Sequence, residues 1–371
     1  MVDLKGQYEK IKVAVNSSIE EVLETNTYIN GPQVHSFQKN LEEYLDVKHV
    51  IPCANGTDAL QVAMMGLDLK PGDEVITADF TFAATVEVIA LLQLVPVLVD
   101  VEMDSFNISL EAIKKAITPR TRAIVPVHLF GQSANMEEIM ALAAEHNLYV
   151  IEDNAQAIGA NYEFSDGSKK KAGTIGHVAS TSFFPSKNLG CYGDGGAIFT
   201  NDDALAHKIR GIVNHGMYVR YHHDIVGVNS RLDSIQAAVL NAKLPLLDEY
   251  NKARQEAARK YNAAFAGHRN IITPAFTDPC DNHVFHQYTL RIVGADRNGL
   301  LEHLTSNGIP CAIYYPIPLH NQKAYLDIRY KEENFPNTNQ LVQEVISLPM
   351  HTELDDEQIK FITDSVLSFL K

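Results

Sequence analysis

One lysine stands where its amine could do carbonyl chemistry. In TSFFPSKNLGCYGDGGAIFT (181–200) an apolar run ends at Phe183 and Phe184, and Pro185 and Ser186 follow. Lys187 then opens a loop carrying Gly190, Gly193, Gly195 and Gly196 before a second apolar run. A lysine amine attacks aldehydes and ketones only when neutral. Alone, a lysine after a strand is most often a solvated surface residue. The question is whether the other groups of one site accompany it.

An aldehyde cofactor such as pyridoxal phosphate needs a carboxylate to keep its pyridine nitrogen protonated, because the protonated ring is the electron sink. Asp153, in VIEDNAQAIGA, ends an apolar run (148–152), although Glu152 and Asp153 could simply begin a loop. A phosphate needs backbone N–H groups at a helix start, and Asn55-Gly56-Thr57-Asp58 follows one strand-like run and opens a helical one. Thr57 could equally be an ordinary N-cap. Ser182 offers a hydroxyl to the same phosphate. Phe82, in ADFTFAATVE, could hold a flat ring or could be a core residue, and Gln156 could donate to a ring hydroxyl. Each signal is weak singly, but all of them fall at the ends of successive strands.

Those strands are the frame that must position them. Runs at 49–54, 73–78, 95–101, 122–131, 148–155, 177–184 and 195–200 alternate with helical periodicity at 57–69, 85–94, 109–117 and 136–147. Several runs are almost wholly apolar, which implies a mostly parallel sheet covered on both faces. Ligands of such sheets bind beyond the carboxyl ends of the strands. After Arg231 the spacing predicts one long helix over 231–267, kinked at Pro245, then a smaller α/β unit with strands near 286–293 and 311–315 and a final helix at 355–370. The expected division is 1–245 for a large domain and 246–371 for a small one.

Composition narrows the functions. At 371 residues the chain is long enough for two cores. A net charge of −15 opposes nucleic acid and anionic membranes, and Lys169-Lys170-Lys171 reads as a solvated polar turn. No apolar run reaches the roughly 20 residues of a membrane span. The first residues, MVDLKGQYEK, lack a basic n-region and an apolar h-region, so no secretory signal is expected. Cys53, Cys191, Cys280 and Cys311 are widely spaced, which fits neither a disulfide framework nor zinc and points to a reduced, cytoplasmic protein. The His222-His223 pair has ligand chemistry, but no carboxylate–histidine spacing nearby makes a metal site, and none is expected.

At these residues the chain resembles the DegT/StrS family of sugar-nucleotide aminotransferases, which have the aspartate-aminotransferase (type I) fold. NGTDAL (55–60), PGDEVI (71–76), TFAAT (81–85), PVHLFGQ (126–132), EDNAQAIGA (152–160), SFFPSKNLGCYGDGGAIFTND (182–202) and GVNSRLDSIQAAVL (227–240) carry the resemblance. It implies pyridoxal 5′-phosphate, with pyridoxamine 5′-phosphate during turnover. Lys187 would be the Schiff-base lysine and Asp153 the pyridine-nitrogen partner. Gln156 would approach the ring hydroxyl, Phe82 would stack on the ring, and Gly56, Thr57 and Ser182 would hold the phosphate. Asn229 would reach the phosphate in the neighbouring subunit of a homodimer. Arg231, His222, His223, Tyr314 and Tyr315 would meet the substrate. Asn154 and Ile158 depart from the common pattern beside the ring, and Tyr314 stands where many members carry His.

Within the family, 220–233 and 191–203 look most like enzymes that aminate position 3 of a UDP-linked 3-oxo-N-acetylglucosaminuronate, with L-glutamate as donor, for cell-surface polysaccharide. Amination of a dTDP-linked keto-6-deoxyhexose is the alternative. The related 3-dehydratases carry His where Lys187 stands. A non-catalytic pyridoxal-binding regulator would call for a DNA-binding element, which is not visible, and no GxGxxG follows the first strand.

Overall fold

The computed structural model describes residues 1–276 and 281–371; Cys280 lies outside the described residues. Helices α1 (Leu4–Thr25) and α2 (Pro32–Leu45) lead into β1 (His49–Cys53) and α3 (Gly56–Gly66). Then β2 (Glu74–Ala78), α4 (Ala84–Leu91), β3 (Val95–Val99), α5 (Leu110–Ala116), β4 (Thr121–Val125), α6 (Met136–His146) and β5 (Tyr149–Asp153) alternate. A hairpin of β6 (Asn161–Glu163) and β7 (Lys169–Lys171) precedes β8 (Val178–Ser182), β9 (Gly196–Thr200) and α7 (Asp203–Ile212).

Seven strands form one sheet in the order β1-β9-β8-β5-β4-β2-β3. Pairs β2–β3, β2–β4, β4–β5 and β5–β8 are parallel; β9 runs antiparallel to both β8 and β1. Ala123, Ile124, Val125, Val150 and Ile151 are wholly buried, as expected of strands with helices on both faces. The carboxyl ends of β1, β2, β4, β5 and β8 consequently share one edge.

Beyond β9, a small hairpin of β10 (Met217–Val219) and β11 (His222–His223) leads to α8 (Ser234–Lys243) and α9 (Leu247–Phe265). The single helix expected over 231–267 is therefore two, separated by a 3₁₀ turn at Leu244–Leu246, because Pro245 cannot donate to the helical ladder. The last part holds β12 (Ile271–Ile272), β13 (Tyr288–Ile292), α10 (Arg297–Ser306), α11 (Pro336–Glu344), β14 (Val345–Leu348) and α12 (Asp356–Phe369). Its sheet is β12-β13-β14, packed on a core that includes Tyr261, Phe285, Leu300 and Val366.

Two expectations fail here. Residues 311–315 form no strand; Ala312 makes one isolated bridge to Ser347. The chain then crosses the large sheet's carboxyl edge, where the Tyr315 ring stacks on Phe130 at 6.5 Å, and Pro316 and Pro318 follow. Lys169–Lys171 is a strand rather than a turn, drawn into pairing as Lys169 bridges Glu163 and Asp281.

Candidate active site

Beyond the shared carboxyl edge lies a cleft of ≈ 870 Å³. Its walls include Gly56, Thr57, Phe82, Asp153, Gln156, Ser182, Lys187, Tyr314 and Tyr315. Residues singled out from Gly56 to Tyr315 thus face one space, because parallel strands put their carboxyl ends side by side.

Asp153 is the last residue of β5 and is buried. Its Oδ2 accepts from the Thr85 hydroxyl at 2.8 Å and its Oδ1 from the Ala155 N–H at 3.1 Å. Its backbone is held on both sides as well: Asp153 N–H donates to Pro126 at 2.9 Å, and His128 N–H donates to the Asp153 carbonyl at 3.0 Å.

Lys187 is held by its loop rather than by its side chain. Phe183, fully buried, packs edge-on against Phe37 at 5.3 Å and anchors the chain just past β8. Phe184, expected to end a buried strand, is instead 52% exposed and lines the cleft. The Lys187 N–H donates to Phe184 O at 2.8 Å, and the Asn188 amide donates to Asn251 and Val284. The buried Lys243 amine donates to Gly190 O at 2.8 Å. Desolvation lowers the Lys187 ammonium to about pKa 8, with Asp153 pulling the other way. A substantial neutral fraction at neutral to mildly alkaline pH follows.

The glycines of this loop serve close approach rather than unusual dihedrals. A Cβ on Gly196 would lie 2.4 Å from the Asn55 carbonyl carbon and oxygen, and one on Gly190 would lie 2.4 Å from Pro185 O. Gly196 thereby lets the start of α3 sit against β9. There Asn55, not Thr57, is the N-cap, its side chain accepting from Asp58 N–H at 2.8 Å. Thr57 is left facing the cleft. Gly56 is equally constrained, since a Cβ would meet Ser182 Cβ at 2.8 Å.

Phe82 is 58% exposed, so it is no core residue, and its ring lies 6.4 Å from that of Tyr315. Gln156 accepts from Phe130 N–H at 2.7 Å and donates to the Tyr315 hydroxyl at 3.3 Å. Asn229, Arg231, His222 and His223 are absent from the cleft walls of their own chain. Asn229, His222 and His223 lie exposed on the surface. Among the described residues, the cleft walls carry three carboxylates, Asp58, Asp153 and Asp194, against the amine of Lys187, and no arginine.

The geometry adds residues that sequence reasoning passed over. Thr85 sat inside the TFAAT motif without a role; its contact with Asp153 spans 68 positions and has no local signature. His286, also in the cleft wall, has a buried Nδ1 without a partner among the described residues. Burial, with Lys187 and Arg254 nearby, holds that imidazole well below its usual pKa and therefore neutral. Asp79, at the end of β2, accepts from His320 N–H and pairs with its Nδ1, both at 2.7 Å, fixing the segment after Tyr315 to the sheet.

The sequence profile of the DegT/DnrJ/EryC1/StrS aminotransferase family matches residues 9–367. The chain belongs to this family. It is 45% identical to the UDP-2-acetamido-2-deoxy-3-oxo-D-glucuronate aminotransferase of Pseudomonas aeruginosa, over 97% of each chain. It is 43% identical to a protein named pleiotropic regulatory protein from Geobacillus stearothermophilus, over 100% of this chain and 98% of that one. The crystal structure of a DegT/DnrJ/EryC1/StrS aminotransferase from Brucella abortus superposes with a TM-score of 0.94 at 41% identity, covering 99% of this chain and 98% of that one. The fold is accordingly the type I fold of pyridoxal phosphate enzymes, and the chain is a pyridoxal phosphate-dependent aminotransferase.

The residues of this DegT-family cleft fit that cofactor. The start of α3 at Gly56 and Thr57 faces the cleft together with Ser182, where a phosphate could be held, and Asp153 offers a carboxylate in the same space. The buried hydroxyls of Thr81 and Ser180 lack partners among the described residues. Among those residues, no cluster of three or more His, Cys, Asp or Glu could hold a metal ion, and no helix is long and apolar enough to cross a membrane.

Proposed function

We propose that the protein transfers the amino group of L-glutamate to carbon 3 of a UDP-linked 3-oxo-N-acetylglucosaminuronate, in the cytoplasm, for cell-surface polysaccharide. The observation that carries the chemistry is Lys187, an amine brought down to about pKa 8 in the same cleft as a buried carboxylate, Asp153. The similarity over 97% of each chain to the 3-oxo-glucuronate aminotransferase supports the substrate.

Pyridoxal phosphate, when bound, supplies the electron sink for charge developing at the donor's α-carbon. Asp153 keeps that ring protonated, and Thr85 keeps the Asp153 carboxylate aimed. Gly56, Thr57 and Ser182 would hold the phosphate, Phe82 would cover the ring, and Gln156 would approach the ring hydroxyl. Lys187 would hold the cofactor through its amine, and that amine would take the proton from the donor's α-carbon as general base and give it back as general acid. In the second half-reaction the same amine delivers a proton to carbon 3 of the sugar. Two half-reactions through one site give ping-pong kinetics.

The acidic cleft has to receive an anionic sugar nucleotide, so cationic groups must come from outside its walls. In a homodimer the partner subunit's Asn229 would reach the phosphate and the partner subunit's Arg231, His222 and His223 the substrate. Tyr314, in the wall of the cleft, would meet the sugar. Tyr315, in the same wall with its hydroxyl accepting from Gln156, would meet the substrate beside it. Residues 1–245 would be the cofactor-binding domain and 246–371 the small one.

The test is direct: purified enzyme, L-glutamate and either UDP-linked 3-oxo-N-acetylglucosaminuronate or a dTDP-linked keto-6-deoxyhexose, with the amino sugar detected by mass. Turnover of the dTDP sugar alone overturns the substrate assignment, and turnover of neither overturns the proposed sugar-amination activity.

A further inference from the structure

Glu152, immediately before Asp153 on β5, is completely buried, and so is His128 opposite it. The His128 Nε2–Glu152 Oε2 distance is 2.8 Å. The tautomer follows from a second contact: Ala134 N–H donates to His128 Nδ1 at 3.1 Å, so Nδ1 carries no proton and Nε2 does. His128 is thus a neutral donor. Three backbone N–H groups complete the shell, Gly173 at 2.8 Å, Ile175 at 2.7 Å and Gly176 at 2.5 Å. Among the described residues, each partner of this carboxyl group is a donor, which is the environment of a carboxylate and not of a neutral acid.

Among the described residues, no lysine or arginine pairs with Glu152. A buried charge without a counter-ion is expensive even when its oxygens are hydrogen-bonded, and a positive charge nearby offsets part of that cost. The adjoining residue, Asp153, is the one assigned to the pyridine nitrogen. Consecutive strand residues point to opposite faces, so Glu152 takes no part in the cleft wall, yet the two carboxyl groups stand on adjoining residues of one strand.

We propose that Glu152, held ionised by neutral His128 and the 173–176 loop, is a second carboxylate behind Asp153 whose charge favours the protonated form of the cofactor ring. It is a positioning residue: it touches neither cofactor nor substrate and acts through Asp153 and through its field. Both carboxyl groups hang from one strand, and a cation beyond Asp153 would feel the field of each through a dry interior that screens it little. The inference rests on the assignment of Asp153 to the pyridine nitrogen.

The test compares affinities of the apo-protein for pyridoxal 5′-phosphate and for its 1-deaza analogue, which lacks the ring nitrogen, by titration calorimetry. Wild type binds the natural cofactor more tightly. In Glu152→Gln that preference narrows by about tenfold, as expected for losing one nearby charge, whereas Glu152→Asp retains it. The amide introduced by Glu152→Gln faces a donor on His128. The double variant Glu152→Gln/His128→Gln, in which one amide can accept from the other, removes the same charge without the clash against the His128 donor and should show the same narrowing. A role confined to packing predicts equal loss for both ligands, and a wild-type preference that survives in either neutralised protein overturns this inference alone. A wild type that binds the two ligands alike overturns the Asp153 assignment and this inference with it.

Discussion

Thr85, in the first turn of α4, donates its hydroxyl to Oδ2 of Asp153, at the end of β5, over 2.8 Å between two buried side chains. The contact ties the helix following the Phe82 loop to the carboxylate on the neighbouring part of the sheet. A hydrogen bond to a charged group contributes about 1.5–3 kcal/mol. Thr85→Val, nearly the same shape, should therefore weaken cofactor binding roughly ten- to hundredfold by the same principle. Thr85→Ser should restore most of it. Titration of both apo-proteins checks this, and equal affinities would refute it.

Lys187→Ala should abolish the covalent adduct that borohydride fixes in the wild type. Turnover should fall by at least the roughly 10²–10⁴-fold that a positioned acid–base group supplies. Mass spectrometry of the reduced protein and a glutamate half-reaction followed by absorbance are the measurements. An intact half-reaction in the variant would sink the mechanism.

Burial lowers the Lys187 ammonium from 10.5 to about 8 in the apo-protein. The unfolded chain therefore binds a proton between those values that the folded chain has released. Apo-protein stability should rise with pH across that window, and the penalty for the buried ammonium is complete below about pH 8. The rate of cofactor capture should rise through pH about 8 as the amine becomes neutral. A capture rate that climbs only near the ordinary lysine range would contradict the desolvated environment.

Gly196→Ala places a methyl group 2.4 Å from the backbone of Asn55, with no flexible side chain to yield. Such overpacking costs about 1–3 kcal/mol. Since the displaced backbone opens α3 beside Thr57, cofactor affinity should fall along with the melting temperature. Calorimetry with and without the cofactor separates the two effects.

If Asn229 serves the neighbouring site, mixed dimers of Lys187→Ala and Asn229→Ala chains contain one site with both residues intact. Random reassociation of equal amounts of the two variants should then restore about a quarter of the wild-type sites, from two preparations that are each nearly inactive. No gain on mixing would place Asn229 in its own chain's site.

Much of the scaffold was readable because it depends on local pattern. Apolar runs such as Arg122–Val125 and Val150–Ile151 and the helical spacing of Met136–His146 appear where the periodicity puts them. Helices α1 and α2 were not read, and in α1 the reason is plain: only Val15 and Val22 of its 22 residues are buried, so its apolar stripe is faint. Residues 311–315 have the composition of a strand, but Tyr315 gains its packing across the cleft on Phe80 and Phe130 instead of along a sheet.

The sequence by itself determined which chemical groups were available and which strand ends would carry them, since residue type and alternation are local properties of the chain. Lys187 and Asp153 could be named on that basis. Tertiary structure alone decided that the Lys187 amine is desolvated, that Asp153 is aimed by Thr85, and that a neutral His128 holds Glu152 ionised behind it. These are matters of distance and solvent exclusion between segments far apart in the chain. A carboxylate or an amine acquires its working charge only from the groups that folding brings beside it.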